Sequence, residues 1–109
     1  MTFAPKKYSH TQLADTKTAL VTAGSNNTIH IRSIQLHNTN TSNEDAIIYL
    51  NDGTSDLIIH KITIKPNETV LIEYSRGSMI LAPTDIISGL TDTASKVTCT
   101  VTGEEAIGV

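Results

Sequence analysis

From Lys96 to Thr102 the chain alternates strictly, with Val97, Cys99 and Val101 on one side and Lys96, Thr98, Thr100 and Thr102 on the other. A period of two marks a strand with one face on a core and one in water. Apolar, β-branched runs recur upstream at 18–22, 28–38, 45–50, 57–64, 69–74, 78–82 and 85–90. Their spacing falls within the roughly 8–12 residues expected of a sandwich or barrel. Between the runs lie turn-forming clusters, Gly24-Ser25-Asn26-Asn27 and Asn38-Thr39-Asn40-Thr41-Ser42-Asn43. These residues tolerate positive φ or bond their own backbone. Lys65-Pro66-Asn67-Glu68 and Ala82-Pro83-Thr84-Asp85 each put proline second, where its fixed φ suits a type I turn. The pattern therefore predicts an all-β, antiparallel sandwich of about eight strands.

Two runs break the one-sided rule. In 45–50, Ala46, Ile48 and Leu50 share a face while Ile47 and Tyr49 hold the other; in 57–64, Leu57 and Ile59 oppose Ile58, Ile62 and Ile64. A sandwich strand has one core face, so strands apolar on both sides need a second cover. Ile47, Tyr49, Leu57 and Ile59 are accordingly expected to meet another chain, or the chain's own N-terminal segment. Residues 1–17 show neither the helical nor the strand period and carry Lys6, Lys7 and Lys17 against Asp15 alone. They read as an extended N-terminal arm whose Phe3, Lys6, Lys7 and Tyr8 could order on a partner. The division expected is an arm at 1–17, a sandwich domain at 18–105 and a C-terminal tail at 106–109.

Composition narrows the class further. Of 109 residues, 36 are Thr, Ile or Val, which favours pleated strands over helices. The net charge of −3 argues against nucleic acid, whose binders need a basic stripe. Only four aromatics and no Trp leave little with which to stack bases. No apolar run approaches the roughly 18 residues of a membrane span, and no apolar segment follows Lys6 and Lys7 as it would in a signal peptide. Folding in a reducing cytoplasm, with no membrane partner, is expected.

The search for chemistry finds no constellation. His10, His30, His37 and His60 fall at no metal-ligand spacing, and no G-x-S-x-G elbow accompanies the serines. Asn51-Asp52-Gly53-Thr54-Ser55-Asp56 lacks the spacing and terminal Glu of a calcium loop and reads as a hairpin turn. Cys99 is the single cysteine and sits on the core face, where a thiol acts as a small hydrophobe. Glu44-Asp45 and Glu104-Glu105 read as solvated charges. No catalytic residue, no metal site and no cofactor is expected, and the chain is not read as an enzyme.

Two stretches carry a resemblance. Thr28-Ile-His-Ile-Arg-Ser-Ile-Gln-Leu-His-Asn-Thr-Asn, running into the 45–50 strand, resembles a strand and loop found in small structural proteins of tailed-bacteriophage virions. Leu81-Ala-Pro-Thr-Asp-Ile-Ile-Ser-Gly-Leu-Thr-Asp-Thr-Ala-Ser-Lys-Val-Thr-Cys-Thr-Val-Thr-Gly-Glu is similar to the closing segment of that group. Pro66-Asn67-Glu68-Thr69 stands at the group's usual turn, so the resemblance spans roughly 18–105. It implies a jelly-roll-like sandwich and structural work, foremost as a capsid decoration (cement) protein on the outside of the head. The implied partners are the major capsid protein and further copies of the chain, as a dimer or trimer. The same architecture at the tail, connector or fibre base is the alternative, followed by a host-attachment module with a pocket at Tyr49 or Tyr74.

Overall fold

The computed structural model describes residues 3–107. Nine strands follow in order: β1 (Ala4–Gln12), β2 (Thr18–Thr22), β3 (Asn27–Asn38), β4 (Glu44–Asn51), β5 (Asp56–Ile64), β6 (Thr69–Glu73), β7 (Ile80–Leu81), β8 (Ile86–Thr91) and β9 (Val97–Ile107). No helix occurs among the described residues, so none is long and apolar enough to cross a membrane. One sheet runs β1-β9-β3-β6, with the short β7 also on β3; the other runs β2-β8-β4-β5. Every pairing is antiparallel. First strand pairs with last, second with second-to-last, and so inward to the β4–β5 hairpin, which is the wiring of a jelly roll.

The sheets bury one apolar layer between them. Ile29, Ile31, Ile34 and Leu36 of β3 and Val97, Cys99 and Val101 of β9 face Val21, Ala46, Ile48, Ile64 and Ile87 from the other sheet. Each fully buried Ile or Leu contributes roughly 1.5–3 kcal/mol relative to an exposed one. The alternation at 97–101 is thus core against solvent, as its period requires.

Both proline turns differ from the expected type. Asn67 and Thr84 have φ of 59° and 74°, with Glu68 N–H donating to Lys65 O (3.1 Å) and Asp85 N–H to Ala82 O (3.0 Å). Positive φ at the third residue is a type II turn. Asparagine suits that position, whereas the β-branched Thr84 occupies it under strain.

Four bulges interrupt the ladders, leaving Tyr8, Leu20, Arg32 and Ile59 without a register partner. Beside the Arg32 bulge, Gly103 passes so close to β3 that a Cβ there would lie 2.4 Å from the His30 carbonyl oxygen. Only glycine permits that approach.

One end of the sandwich is tied by buried polar side chains. Asn38, wholly buried, donates through Nδ2 to the carbonyls of Ser42 and Ile64 (2.9 Å each) and accepts from Asn40 N–H (2.8 Å). Glu44 is only 2 % exposed. Its carboxylate accepts from Thr93 N–H (2.9 Å), the Thr93 hydroxyl (3.1 Å), the Thr91 hydroxyl (3.3 Å) and Asn40 Nδ2 (3.2 Å). These bonds satisfy a charge that burial would otherwise make costly. Glu44 is a structural anchor, not the solvated charge expected.

Candidate interaction surfaces

The segment expected to hang free is built into the sheet. β1 pairs with β9 from Ala4↔Glu105 to Gln12↔Thr98. Phe3 stacks on the His30 ring, centroids 4.3 Å apart at 28°. Lys6 Nζ lies 3.2 Å from Glu105 Oε1 and 5.4 Å from the centroid of the Tyr8 ring. Tyr8, turned by its bulge, packs against the hydrophobic core. Burial first, then the Glu105 and Glu104 carboxylates, push its phenol well above the usual range. Of the four residues of this segment expected to contact a partner, Phe3, Lys6 and Tyr8 are engaged within the fold, and Lys7 is exposed.

Glu104 and Glu105 are likewise not solvated. Arg76 Nε and Arg32 Nη1 lie 3.0 and 3.5 Å from Glu104 Oε1, and Asn27 Nδ2 donates to Glu105 Oε2 at 3.4 Å. Their side chains are 12 % and 16 % exposed. The pair joins β1, β3 and the turn after β6 to the last strand.

The second group divides. Ile47 and Tyr49 face outward from β4, opposite Lys61 and Ile58 on β5 and Leu90 and Ser88 on β8. Ile47 with Leu90, and Tyr49 with Ile58, form an apolar patch on the outer face of the β2-β8-β4-β5 sheet, with Ile86 at its margin. Leu57 is exposed at the start of β5. Ile59 corrects the expectation: as the bulge residue it packs against the core, and Ile58 takes the outward place beside Tyr49. β1 does not cover this patch, since it belongs to the other sheet. Instead the side chain of Lys17 crosses it, with Nζ 5.0 Å from the Tyr49 ring centroid and ion-paired to Asp56.

Several further polar groups are committed locally, while His30 Nδ1 is buried with no hydrogen-bond partner among the described residues. His10 Nδ1 meets Thr100 Oγ1 at 2.8 Å, and His37 Nδ1 meets Thr69 Oγ1 at 2.7 Å. His60 Nε2 is hydrogen-bonded to the Tyr74 hydroxyl, and burial holds its imidazole below the usual value. Asp52 accepts from Ser55 N–H (2.8 Å) and Thr54 N–H (3.0 Å), which close the 51–56 hairpin and lower its carboxyl pKa. Burial pushes the Cys99 thiol up to about 12. Among the described residues no three His, Cys, Asp or Glu side chains stand together to hold a metal ion, and no pocket opens.

No protein-family model matches the chain, and no curated protein matches it. Solved structures do. A chain from Bacillus endospore appendages, described as forming disulfide-linked pili, superposes with a TM-score of 0.61 at 12 % identity, over 99 % of this chain and 90 % of that one. The Tobacco streak virus coat protein superposes with a TM-score of 0.53 at 14 % identity, over 95 % and 83 %. Both are likenesses of fold: this chain shares the sandwich of a coat protein and a pilus protein.

Proposed function

We propose that this chain is a structural component of a bacteriophage virion, and that it decorates the outside of the head as a cement protein across neighbouring major capsid protein subunits. The observation that carries the reading is the outer face of the β2-β8-β4-β5 sheet, where Ile47, Tyr49, Ile58 and Leu90 form an apolar patch. The likeness of the fold to a coat protein supports a building role over catalysis. Tyr49 and Tyr74, which a ligand pocket would use, are occupied by Lys17 and His60. That favours a shell component over a host-attachment module.

The test is co-sedimentation with purified heads lacking the chain. The native protein should bind at saturable copy number, and Tyr49→Asp with Ile58→Lys, which set opposite charges across the strand pair, should abolish binding while leaving the melting temperature within about 3 °C, since both sites face outward. Equal binding by the double variant would overturn this choice of face, and failure of the native chain to bind any head would overturn decoration. The same fold at the tail, connector or fibre base is the second reading. It is favoured by the elongated body, 48 × 26 × 19 Å, and by the likeness to a pilus protein. Filament assembly through disulfides is closed to this chain's own thiol, because Cys99 is wholly buried.

A further inference from the structure

β1 and β6 end the path of one sheet and β2 and β5 that of the other, with the two-residue β7 beside β6 on the flank of β3. An edge exposes unpaired backbone groups that template pairing with another chain, and proteins blunt such edges with proline, lysine, bulges or brevity. β1 carries Pro5, Lys6, Lys7 and the Tyr8 bulge; β2 carries the Leu20 bulge; β5 carries Lys61 and the Ile59 bulge. β6, Thr69-Val70-Leu71-Ile72-Glu73, has only its brevity. Its register against β3 is unbroken, and Leu71 at its centre is 52 % exposed.

The hydrogen-bond phase of β6 can be read from its ends. Tyr74 N–H donates to Arg32 O (2.9 Å) and Asn38 N–H to Glu68 O (3.0 Å), which assigns the even-numbered residues to the ladder with β3. By alternation, the N–H and C=O groups of Thr69, Leu71 and Glu73 point to the free edge. That set is symmetric about Leu71. A second copy turned antiparallel about a two-fold axis at Leu71 sets Leu71 against Leu71, Thr69 against Glu73 and Glu73 against Thr69. Each of those pairs exchanges two backbone hydrogen bonds, and Val70 and Ile72 stay on the core side in both copies. Charge agrees with this register: each Glu73 lands beside the other copy's Thr69, which is bonded to His37, and no like charges stand opposite. Shifting the axis by one residue along β6 opposes Leu71 to Glu73 or to Thr69.

We infer that β6 is a self-association edge, through which two copies pair across a two-fold axis at Leu71 and join their five-stranded sheets into one of ten. The inference supplies the homo-oligomer of the decoration reading and takes its purpose from that reading, while its geometry depends on β6 alone.

The experiment uses the full chain. Light scattering over a concentration series should show a monomer–dimer equilibrium, and Leu71→Lys, which places two ammonium groups face to face, should weaken it at least about tenfold without lowering the melting temperature. Leu71→Cys should give a disulfide-linked dimer on mild oxidation, because directly opposed residues bring Cα atoms within the range a disulfide spans. Leu57→Cys and Ile80→Cys, also exposed but off the axis, should dimerise like the native chain yet form no disulfide-linked dimer; Cys99 is buried in every variant. A monomer at all concentrations, a dimer indifferent to Leu71→Lys, or cross-linking at Leu57 or Ile80 as readily as at Leu71 would each overturn the inference. A monomer that still binds heads sinks the dimer and spares decoration, whereas a Leu71-linked dimer that binds no head does the reverse.

Discussion

Glu44 accepts four hydrogen bonds from three residues that otherwise have no reason to converge, so its removal strands the buried Thr91 hydroxyl and releases Thr93 and Asn40, rather than merely deleting a charge. A buried polar group left without its partner costs about 1–3 kcal/mol. Glu44→Ala should therefore lower unfolding stability by about 2 kcal/mol or more in a urea titration, with the loop at 91–95 first to lose hydrogen-exchange protection. His60 carries a different signature. Its imidazole is held below its ordinary value of 6.5 by burial, so the folded chain binds its proton less readily than the unfolded chain does. Stability from this group is whole above pH 6.5 and is lost as pH falls below it. The melting temperature should decline between pH 7 and 5, and His60→Gln should flatten that decline. An identical slope in the variant would exonerate His60.

At the scale of elements, β1 is the member whose removal tells most. It lies along β9 for its whole length, covers His30 with Phe3 and places Tyr8 on the core. Deleting residues 3–9 should lower the melting temperature by about 10 °C or more, at the roughly 4–8 °C per kcal/mol typical of domains this size. A drop of only a few degrees would restore the segment to the role of a free arm. The misreading of β1 has a physical source. Tyr8 sits in a bulge, where the chain spends one extra residue and the side chain beyond it changes face. Leu20 and Ile59 sit in bulges too, and both pack inward. A period of two cannot be followed through such a point from sequence alone, which is why Ile59 was expected outside and Ile58 inside. Where no bulge intervenes, as at Val97, Cys99 and Val101, the alternation was legible in full. The outward patch was half legible: Ile47 and Tyr49 showed in the two-sided pattern of their run, while Leu90 and Ile86 join it only through the pairing of β8 with β4. The ion pairs of Glu104 and Glu105 were invisible, since Arg32, Arg76 and Lys6 approach from distant parts of the chain.

For the molecule as a whole, the placing of β9 between β1 and β3 governs time as well as shape. Ala4 finds its partner in Glu105, about a hundred residues later, and β3 lacks one neighbour until β9 arrives. Closing so long a loop precedes the contacts that compensate it, and sheets of this kind fold in milliseconds to seconds rather than microseconds. On a ribosome the chain must wait: with β9 still inside the exit tunnel, β1 and β3 each present an open flank, and a hydrophobic layer stands uncovered over Ile48 and Ile87. Nascent chains arrested before residue 97 should be digested by protease as readily as unfolded protein, and those released past residue 107 should resist it. The last strand made is thus the latch, and a cell producing many copies at once holds a pool of unlatched chains in proportion to its rate of synthesis.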